Sequence, residues 1–431
     1  MTLYAACLYL IYKSTKRYKN SILLFLAVFC FMNRNVRVVF IPLSTITISW
    51  FMFLFLLNKR KYKDRIDRFP WKVPMLLWTI SITISSIFSI TGFASEISTL
   101  LGNLLKQVGL ILIIWCTIES KEDFYKVYRY LSIVFFISCI YGLLEYALQS
   151  NPLQTYLSMF SGISNKVVWT YDEASTRGYR ICSIFEHAIG AAINWSMYAV
   201  FTIYLYIRRN TELKHKLFNM LTAFLCIVCT FLTKCRSPLL FLGIFTVAIL
   251  IQFNRIKFWR LLIVLAPVVI IGGIIAYKQS TALQSVISIV FYGGTGEMGV
   301  DSSSLTLRST QIATAFNLMK RSPIFGMGTH YQDVLPSSVT FFILGGESLL
   351  VSVPPAYGIL GLIAYCIMII FDCIIIPIRY RSIECNILGI AYWSTQFFST
   401  IPGILIFIYY LFMIYFTKID GEWNYRPNNQ N

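Results

Sequence analysis

The chain has 431 residues, of which 57% are hydrophobic and only 13% are charged, and its mean hydropathy is +0.66. A soluble domain carries about twice that fraction of charged residues, so the composition excludes an ordinary soluble protein. A formal net charge of +18 is a reason to consider nucleic-acid binding. The basic residues, however, lie mainly in short connections between apolar runs, and we therefore expect a membrane protein without a nucleic-acid partner.

Apolar runs of helical length recur along the whole chain. They predict an all-α, polytopic integral membrane protein with about 12–13 transmembrane helices. The predicted spans are 1–12, 21–32, 38–57, 73–91, 97–118, 124–148, 183–207, 217–232, 237–253, 261–277, 348–371, 387–400 and 402–417. We expect residues 1–431 to form a single membrane domain. It has a first external loop at 149–182 and a large external loop at 278–347 that contains an amphipathic helix.

Most of the 37 Lys and Arg residues lie in alternate connections between these spans. Examples are the runs at 13–19, 58–72 and 208–216. Under the positive-inside rule these connections are cytoplasmic, so the C-terminus is predicted to be cytoplasmic and the N-terminus external. The excess positive charge is then mainly a topology signal.

Two charged residues fall within predicted spans of the N-terminal half, namely Lys106 and Glu145. For each we favour a snorkelling or helix-paired role over a ligand site, because long charged side chains in membrane helices commonly reach the interface or pair with a neighbour.

Cations on the predicted external side need a separate explanation, because the positive-inside rule disfavours them there. The 149–182 loop carries Arg177 and Arg180 and leads to His187 near the start of a span. The next external turn is short and holds Lys234 and Arg236. Arginine remains charged in a low dielectric and binds phosphate through two parallel hydrogen bonds, so these positions predict an anion site.

The stretch from Ser302 to Gly361 is a long polar interruption late in the chain. Its first part predicts one amphipathic helix whose apolar face contains Ile312, Ala315, Phe316 and Met319. Pro323 ends the helical pattern, and Gly326 and Gly328 permit a tight turn. The helix is bracketed by Arg308, expected in its first turn as the better anion ligand, and by Arg321, expected to cap carbonyls of its last turn.

Several common catalytic patterns are missing from the sequence. It has no Walker A motif, no Asp-x-Asp pair, and neither the HExxH nor the GxSxG motif. Its three histidines are His187, His215 and His330, and His215 is predicted to be cytoplasmic. We therefore expect no metal site and no cofactor.

Four motifs occur in a fixed order after residue 177. They are RICSIFEHAIGAA at 180–192, KCRSPLLFLGI at 234–244, Arg308 followed by RSPIFGMGTH at 321–330, and ES at 347–348 followed by YGILG at 357–361. This order resembles the signature region of the O-antigen ligase and O-antigen polymerase superfamily over roughly residues 177–370. The N-terminal half agrees only in having many spans.

The resemblance implies a metal-independent glycosyltransferase of the bacterial cytoplasmic membrane. Its donor would be an undecaprenyl-diphosphate-linked oligosaccharide at the outer face, and a chain-length regulator and a flippase would be further partners. The product would be O-antigen, capsular polysaccharide or exopolysaccharide. The roles assigned are diphosphate binding for Arg180, Arg236 and Arg308, support for Arg177, His187 and Arg321, and catalysis for Glu347 with His330 as a substitute.

Polymerase and ligase remain alternatives within this family. Ligases typically carry a histidine where this chain has Glu347, and the departure favours a polymerase. The alternative role for Glu347 is structural, as the N-cap of the following helix. A polytopic glycan transporter would also be lined with arginines, but it should carry charges at mid-membrane depth and internal repeats; no repeat is evident here.

The charge alternation makes a testable prediction about topology. A cysteine placed at Thr295 should react with a membrane-impermeant maleimide in intact cells, because the 278–347 loop is predicted to be external. A cysteine placed at Lys63 should react only after permeabilisation. Labelling is measured as the increase over the unsubstituted chain, and the reverse pattern would place the arginine motifs on the cytoplasmic side.

Overall fold

In a computed structural model, the protein is described over residues 2–32, 36–38, 41–161, 179–208, 215–253, 303–336, 348–398 and 405–420. These residues form helices, apart from connecting turns and one pair of two-residue antiparallel strands at Arg37–Val38 (β1) and Ile41–Pro42 (β2). The predicted all-α fold class is confirmed. The predicted span at 261–277 lies outside the described residues.

The N-terminal half contains nine helices within the described residues. They are α1 (Thr2–Lys16), α2 (Tyr18–Phe29), α3 (Leu43–Leu57), α4 (Lys63–Asp67), α5 (Lys72–Ile87), α6 (Phe93–Asn103), α7 (Leu110–Thr117), α8 (Lys121–Leu148) and α9 (Pro152–Ser161). A 3₁₀ turn at Lys59–Tyr62 precedes α4, and a π-helical turn at Leu104–Gly109 joins α6 to α7 as one continuous span.

The C-terminal half continues with eight described helices. They are α10 (Ala188–Ile207), α11 (Lys216–Leu232), α12 (Arg236–Phe253), α13 (Ser303–Met319), α14 (Leu349–Ile370), α15 (Ile376–Tyr380), α16 (Ile383–Phe398) and α17 (Ile406–Ile414). A 3₁₀ turn lies at Tyr331–Val334, and π-helical turns lie at Phe371–Ile375 and Tyr415–Asp420.

Four helices in the described part of the chain are long and apolar enough to cross a bilayer, at Phe93–Thr117, Lys121–Leu148, Ala188–Ile207 and Leu349–Tyr380. Six shorter apolar helices accompany them. About 20 residues are needed to span the hydrocarbon core, and each of the four long helices has at least that length. The chain is a multi-pass membrane protein.

Ion pairs join several of the connections between helices. Lys19 pairs with Asp123 at 2.7 Å and Arg208 with Glu384 at 2.8 Å. Arg65 pairs with Glu119. These contacts join segments that the charge pattern assigns to the predicted cytoplasmic side, and the structure thus brings those connections together.

The amphipathic helix predicted after Ser302 is present as α13. Its buried face agrees with the predicted one at Ala315, which is buried, and at Ile312, which packs against the same cluster. It differs in that Leu318 is buried, whereas Phe316 is 36% exposed. The helix ends at Met319, and the backbone N–H groups of Arg321 and Ser322 then bond the carbonyls of Leu318 and Met319. The helical pattern therefore stops before Pro323.

Helix α14 is broken in the middle of its apolar run. Pro354 and Pro355 lack the backbone N–H of a helical ladder, and Gly358 has φ 60° and ψ −154°, which is not helical. A backbone break inside a membrane is tolerated only where other groups satisfy the released hydrogen bonds. The segment 323–328, which follows α13, supplies those groups.

Gly358 permits this break because it has no side chain. A Cβ at this position would lie 2.6 Å from the Ile324 carbonyl oxygen and 2.7 Å from the Gly326 nitrogen. We expect Gly358→Ala to destabilise the protein by about 3 kcal/mol or more, through the positive φ and this clash. The measurement is the thermal stability of protein purified in detergent.

Gly243→Ala is the matched control, because Gly243 lies within α12 and an added Cβ there would have no neighbour within 4 Å. That variant should be as stable as the parent or slightly more stable, since alanine favours a helix over glycine by about 0.5–1 kcal/mol. Equal stability of both variants would mean that the break at Gly358 is not needed for folding.

Candidate functional site

The segment after α13 is docked onto the break in α14 by four backbone hydrogen bonds. Met327 N–H donates to the Pro355 carbonyl (2.8 Å) and Gly328 N–H to the Ala356 carbonyl (3.0 Å). In the opposite direction, the N–H groups of residues 359 and 360 donate to the carbonyls of residues 323 and 324. We call residues 323–332 the signature loop. Its position is thus fixed to the middle of a membrane helix.

A buried carboxylate holds the next part of the signature loop. Glu96 is 0% exposed, and its Oε1 accepts a hydrogen bond from the His330 backbone N–H at 2.9 Å. Its other carboxylate oxygen accepts from the Thr329 hydroxyl, and Ser89 Oγ donates to Oε1 at 3.1 Å. Gly328 has φ 88°, and a Cβ there would lie 2.6 Å from the Glu96 carboxylate, so this close approach requires glycine.

His330, a predicted catalytic substitute, is oriented by α6 and by its own loop. Its Nε2 lies 3.0 Å from Thr99 Oγ1, and its Nδ1 lies 3.3 Å from Asp333 Oδ2. The neighbours Thr329 and Tyr331 line the cavity described below, whereas His330 is not among its lining residues. Burial raises the pKa of the Tyr331 phenol, which therefore stays a neutral hydroxyl at physiological pH.

The predicted motif at 180–192 begins as an irregular buried segment and becomes helical only at Ala188. Glu145 holds this segment: its carboxylate accepts from Ser183 N–H (2.6 Å), from Cys182 N–H (3.2 Å) and from the Tyr179 hydroxyl (2.9 Å). His187 is the N-cap of α10, where its Nδ1 accepts from Ile189 N–H. Glu145 therefore satisfies backbone donors in the 180–192 motif, which agrees with the paired role favoured for it.

Arg180 joins this segment to the next arginine-bearing turn. It is 7% exposed, and its Nε donates to the Thr233 carbonyl at 3.0 Å while its Nη2 lies 2.8 Å from Cys235 Sγ. Arg236 is exposed and is the first residue of α12. The two motifs predicted to bind one anion are therefore in direct contact.

A cavity of about 560 Å³ lies beside the broken helix. Small-molecule sites commonly have about 300–1,000 Å³. Its wall includes one residue from each of three of the four predicted motifs, namely Glu186, Thr329 and Tyr357, together with Tyr331 and Gln332 at the end of the signature loop. Sequence order alone could not show that these motifs share one cavity.

Lys106 also lines this cavity, together with Asn103 and Gln107. All three lie at or beside the π-helical turn at Leu104–Gly109, and such turns occur frequently at functional sites. The sequence favours a snorkelling or paired role for Lys106, and the structure places it on the cavity wall.

Glu96 and Glu186 are site residues that the sequence analysis did not single out. Glu186 stands inside a quoted motif, between the better-recognised Arg180 and His187. Glu96 lies in the short connection between the predicted spans 73–91 and 97–118, whereas the structure places it in the first turn of α6. Because the predicted span begins at residue 97, the signal that could have identified Glu96, an acidic residue within a membrane helix, was missed.

Three other predicted site residues lie wholly or partly outside the described residues. Arg177 and Glu347 lie outside the described residues. The backbone of Arg308 is in the second turn of α13 rather than the first, and its side chain is outside the description. Arg321 is exposed, and its backbone N–H rather than a described side-chain contact bonds Leu318.

The N-cap of α14 is Ser348, whose hydroxyl accepts from Leu350 N–H at 3.2 Å. The alternative structural role for Glu347, as N-cap of this helix, is therefore wrong. Among the described residues, no group of three or more His, Cys, Asp or Glu side chains is arranged to hold a metal ion.

The Glu96 contacts make a prediction about the signature loop. Glu96→Ala removes the acceptor for Thr329 and His330, so amide hydrogen exchange in residues 327–333 should accelerate about 10-fold or more, since a hydrogen bond to a charged group stabilises by about 1.5–3 kcal/mol. The measurement is hydrogen–deuterium exchange of the purified protein followed by mass spectrometry.

Glu122→Ala is the control for that experiment, because Glu122 is an exposed acidic residue in the first turn of α8. It should leave exchange in the signature loop unchanged. Equal exchange in the parent and in Glu96→Ala would show that the Glu96 carboxylate does not hold the loop.

Comparisons with known proteins agree with the motif order. Residues 221–366 match the family model described as O-Antigen ligase, a range that contains α13, the signature loop and the break in α14. A search of curated proteins finds no match. Residues 221–366 are therefore similar to the O-antigen ligase family, which supports the resemblance that the motifs predict.

Proposed function

We propose that the protein is a membrane glycosyltransferase that polymerises undecaprenyl-diphosphate-linked oligosaccharide repeat units into O-antigen, capsular polysaccharide or exopolysaccharide. The family indicates an O-antigen ligase- or polymerase-type function. The polymerase assignment, the lipid-linked donor, the independence from metal and the outer face of the cytoplasmic membrane as the place of reaction are parts of the proposal.

The observation that carries the proposal is the cavity beside the broken helix. Three separate sequence motifs contribute to its wall, and the arginine-bearing turn at 233–236 is joined to one of them through Arg180. The site is built from distant parts of the chain, and one of the segments that line it carries Arg180. Such a site suits a substrate that combines a saccharide with an anionic lipid diphosphate.

Two charges must be managed during transfer. The leaving undecaprenyl diphosphate develops negative charge, which positioned cations stabilise, and we assign Arg180, Arg236 and Arg308 to it. Arg180 is oriented by its contacts with the 233–235 turn, so its guanidinium is held in one geometry before substrate binds. Arg177, His187 and Arg321 remain supporting residues in this proposal.

The acceptor hydroxyl must also lose a proton as it attacks the anomeric carbon. We assign this step to Glu347, with His330 as a substitute. His330 Nε2 lies beside Thr99, which orients the ring. Among the described residues that line the cavity, Glu186 and Lys106 are the ones with a carboxyl or an ammonium group.

A gene deletion distinguishes this proposal from its alternatives. A strain lacking a polymerase accumulates single lipid-linked repeat units, whereas a strain lacking a ligase accumulates long lipid-linked chains. Loss of a transporter leaves repeat units on the cytoplasmic side. A transporter would share one feature of this site, a charged residue, Lys106, on a cavity wall within a membrane span. The side of the membrane on which lipid-linked repeat units accumulate in the deletion strain tests the transporter alternative directly.

The arginine assignment predicts the outcome of two substitutions. Arg308→Ala should abolish polymer while the protein remains in the membrane, and Arg308→Lys should rescue poorly because an ammonium cannot form the paired hydrogen bonds of a guanidinium. Arg321→Ala, at the other end of the same segment, should mainly lower the amount of protein in the membrane. The measurement is the length distribution of surface polysaccharide; full length with Arg308→Lys would remove Arg308 from the diphosphate site.

The proton-acceptor assignment predicts a slower but intact enzyme. Glu347→Gln should retain fold and lipid-substrate binding and reduce the transfer rate by about 10²–10⁴-fold, the usual contribution of general acid–base catalysis. His330→Ala should cost less. Chain elongation by purified protein on synthetic lipid-linked repeat units measures both, and a near-normal rate for Glu347→Gln would exclude it as the base.

A further inference from the structure

The inner part of the cavity contains two buried polar atoms that have no hydrogen-bond partner among the described residues. They are Nε2 of Gln396 on α16 and the hydroxyl of Tyr410 on α17. Gln396 is 3% exposed and Tyr410 is 0% exposed, and both line the cavity. We call this part of the cavity the inner chamber.

Leaving such groups unsatisfied is costly. A buried donor without an acceptor costs about 1–3 kcal/mol, and most buried polar side-chain atoms in folded proteins have a partner. The neighbouring Tyr409 illustrates the usual situation, because its hydroxyl bonds Asp372 Oδ2 at 3.0 Å. Two such atoms on residues that line one cavity therefore indicate a bound group that supplies hydrogen bonds.

The remaining wall of the inner chamber is aromatic. Trp78 contacts Tyr365 with ring centroids 4.7 Å apart, and Trp393 contacts Tyr365 at 6.1 Å and Tyr392 at 5.4 Å. All four line the cavity. Trp393 is fixed from behind, since its indole N–H donates to Asp372 Oδ2 at 3.0 Å. The aromatic faces are therefore positioned independently of any ligand.

Two kinds of occupant fit a cavity in a protein that handles lipid-linked glycans. A prenyl chain would pack on the aromatic rings but would leave Gln396 and Tyr410 without partners and would cover Gln107 and Lys106 as well. A saccharide presents C–H faces to aromatic rings and hydroxyl groups to polar atoms, and so satisfies both features. The observations favour the saccharide.

We infer that the inner chamber binds the sugar part of the substrate, with Gln396 and Tyr410 as hydrogen-bonding residues and Trp393 as a stacking surface. This inference rests on the proposed function for the identity of the saccharide. It adds to the site a region that the family-matched residues 221–366 do not contain, because α16 and α17 follow them in the chain.

The test uses the full-length protein in lipid nanodiscs. The probe is oligosaccharide prepared by partial depolymerisation of the strain's own surface polysaccharide, and binding is followed by tryptophan fluorescence, to which Trp78 and Trp393 contribute. Tyr410→Phe and Gln396→Met should each weaken binding about 3- to 10-fold, the value of one lost hydrogen bond. The thermal stability of Tyr410→Phe should not fall, since this change removes only a hydroxyl with no partner among the described residues.

Tyr409→Phe is the matched control. It removes a hydroxyl at the adjacent position that bonds Asp372 rather than facing the cavity, so it should lower thermal stability and leave oligosaccharide affinity unchanged. Undecaprenyl phosphate, titrated in the same way, is the second probe. Its affinity should not respond to Tyr410→Phe or Gln396→Met.

Parent-like oligosaccharide affinity in both Tyr410→Phe and Gln396→Met overturns the inference, as does absence of oligosaccharide binding by the parent. Loss of undecaprenyl phosphate binding in these variants, with oligosaccharide binding unaffected, assigns the chamber to the prenyl chain and also overturns it. The proposed function is judged separately by the deletion strain. If polymer persists there while Tyr410→Phe still weakens oligosaccharide binding, the function fails and the saccharide site stands.

Discussion

The broken helix α14 is the constraint on which the rest of the site depends. Two consecutive prolines and a glycine with positive φ interrupt its hydrogen-bond ladder, and a membrane interior offers no water to satisfy the released groups. Donors and acceptors of the signature loop bond this break, and Ser85 Oγ donates to the Ala356 carbonyl at 2.5 Å. These hydrogen bonds hold the signature loop in a fixed position against α14.

Buried carboxylates likewise hold other segments of the site in place, because they accept hydrogen bonds from donors in those segments. Glu96 holds the signature loop, Glu145 holds the segment before α10, and Asp372 accepts hydrogen bonds from Trp71, Trp393 and Tyr409. Each is 0% exposed. A buried carboxylate is costly unless several donors satisfy it, so each ties together segments that lie far apart in the chain.

Periodicity and composition were sufficient to predict the all-α membrane fold and most of the helices in the described residues. They could not predict which face of α13 is buried, because Phe316 and Leu318 are equally apolar and only contacts with α14 decide between them. They also missed Glu96 and overlooked Gln396 and Tyr410. A buried polar atom is recognised by the absence of a partner, and partners from other helices are not visible in one sequence.

In the proposed site, the arginines bind the diphosphate and the inner chamber binds the sugar, and this division agrees with where each group of residues lies. The arginine-bearing turn at 233–236 and Arg180 lie where irregular segments meet helix starts. The positive end of a helix favours an anion, so the arginines and the helix starts together favour a bound diphosphate. The inner chamber lies among α5, α14, α16 and α17 and offers aromatic faces with few polar atoms. A lipid-linked glycan carries its charge at the diphosphate and none in a neutral sugar. Binding the diphosphate at the boundary and the sugar in the chamber therefore requires no buried, unpaired charge.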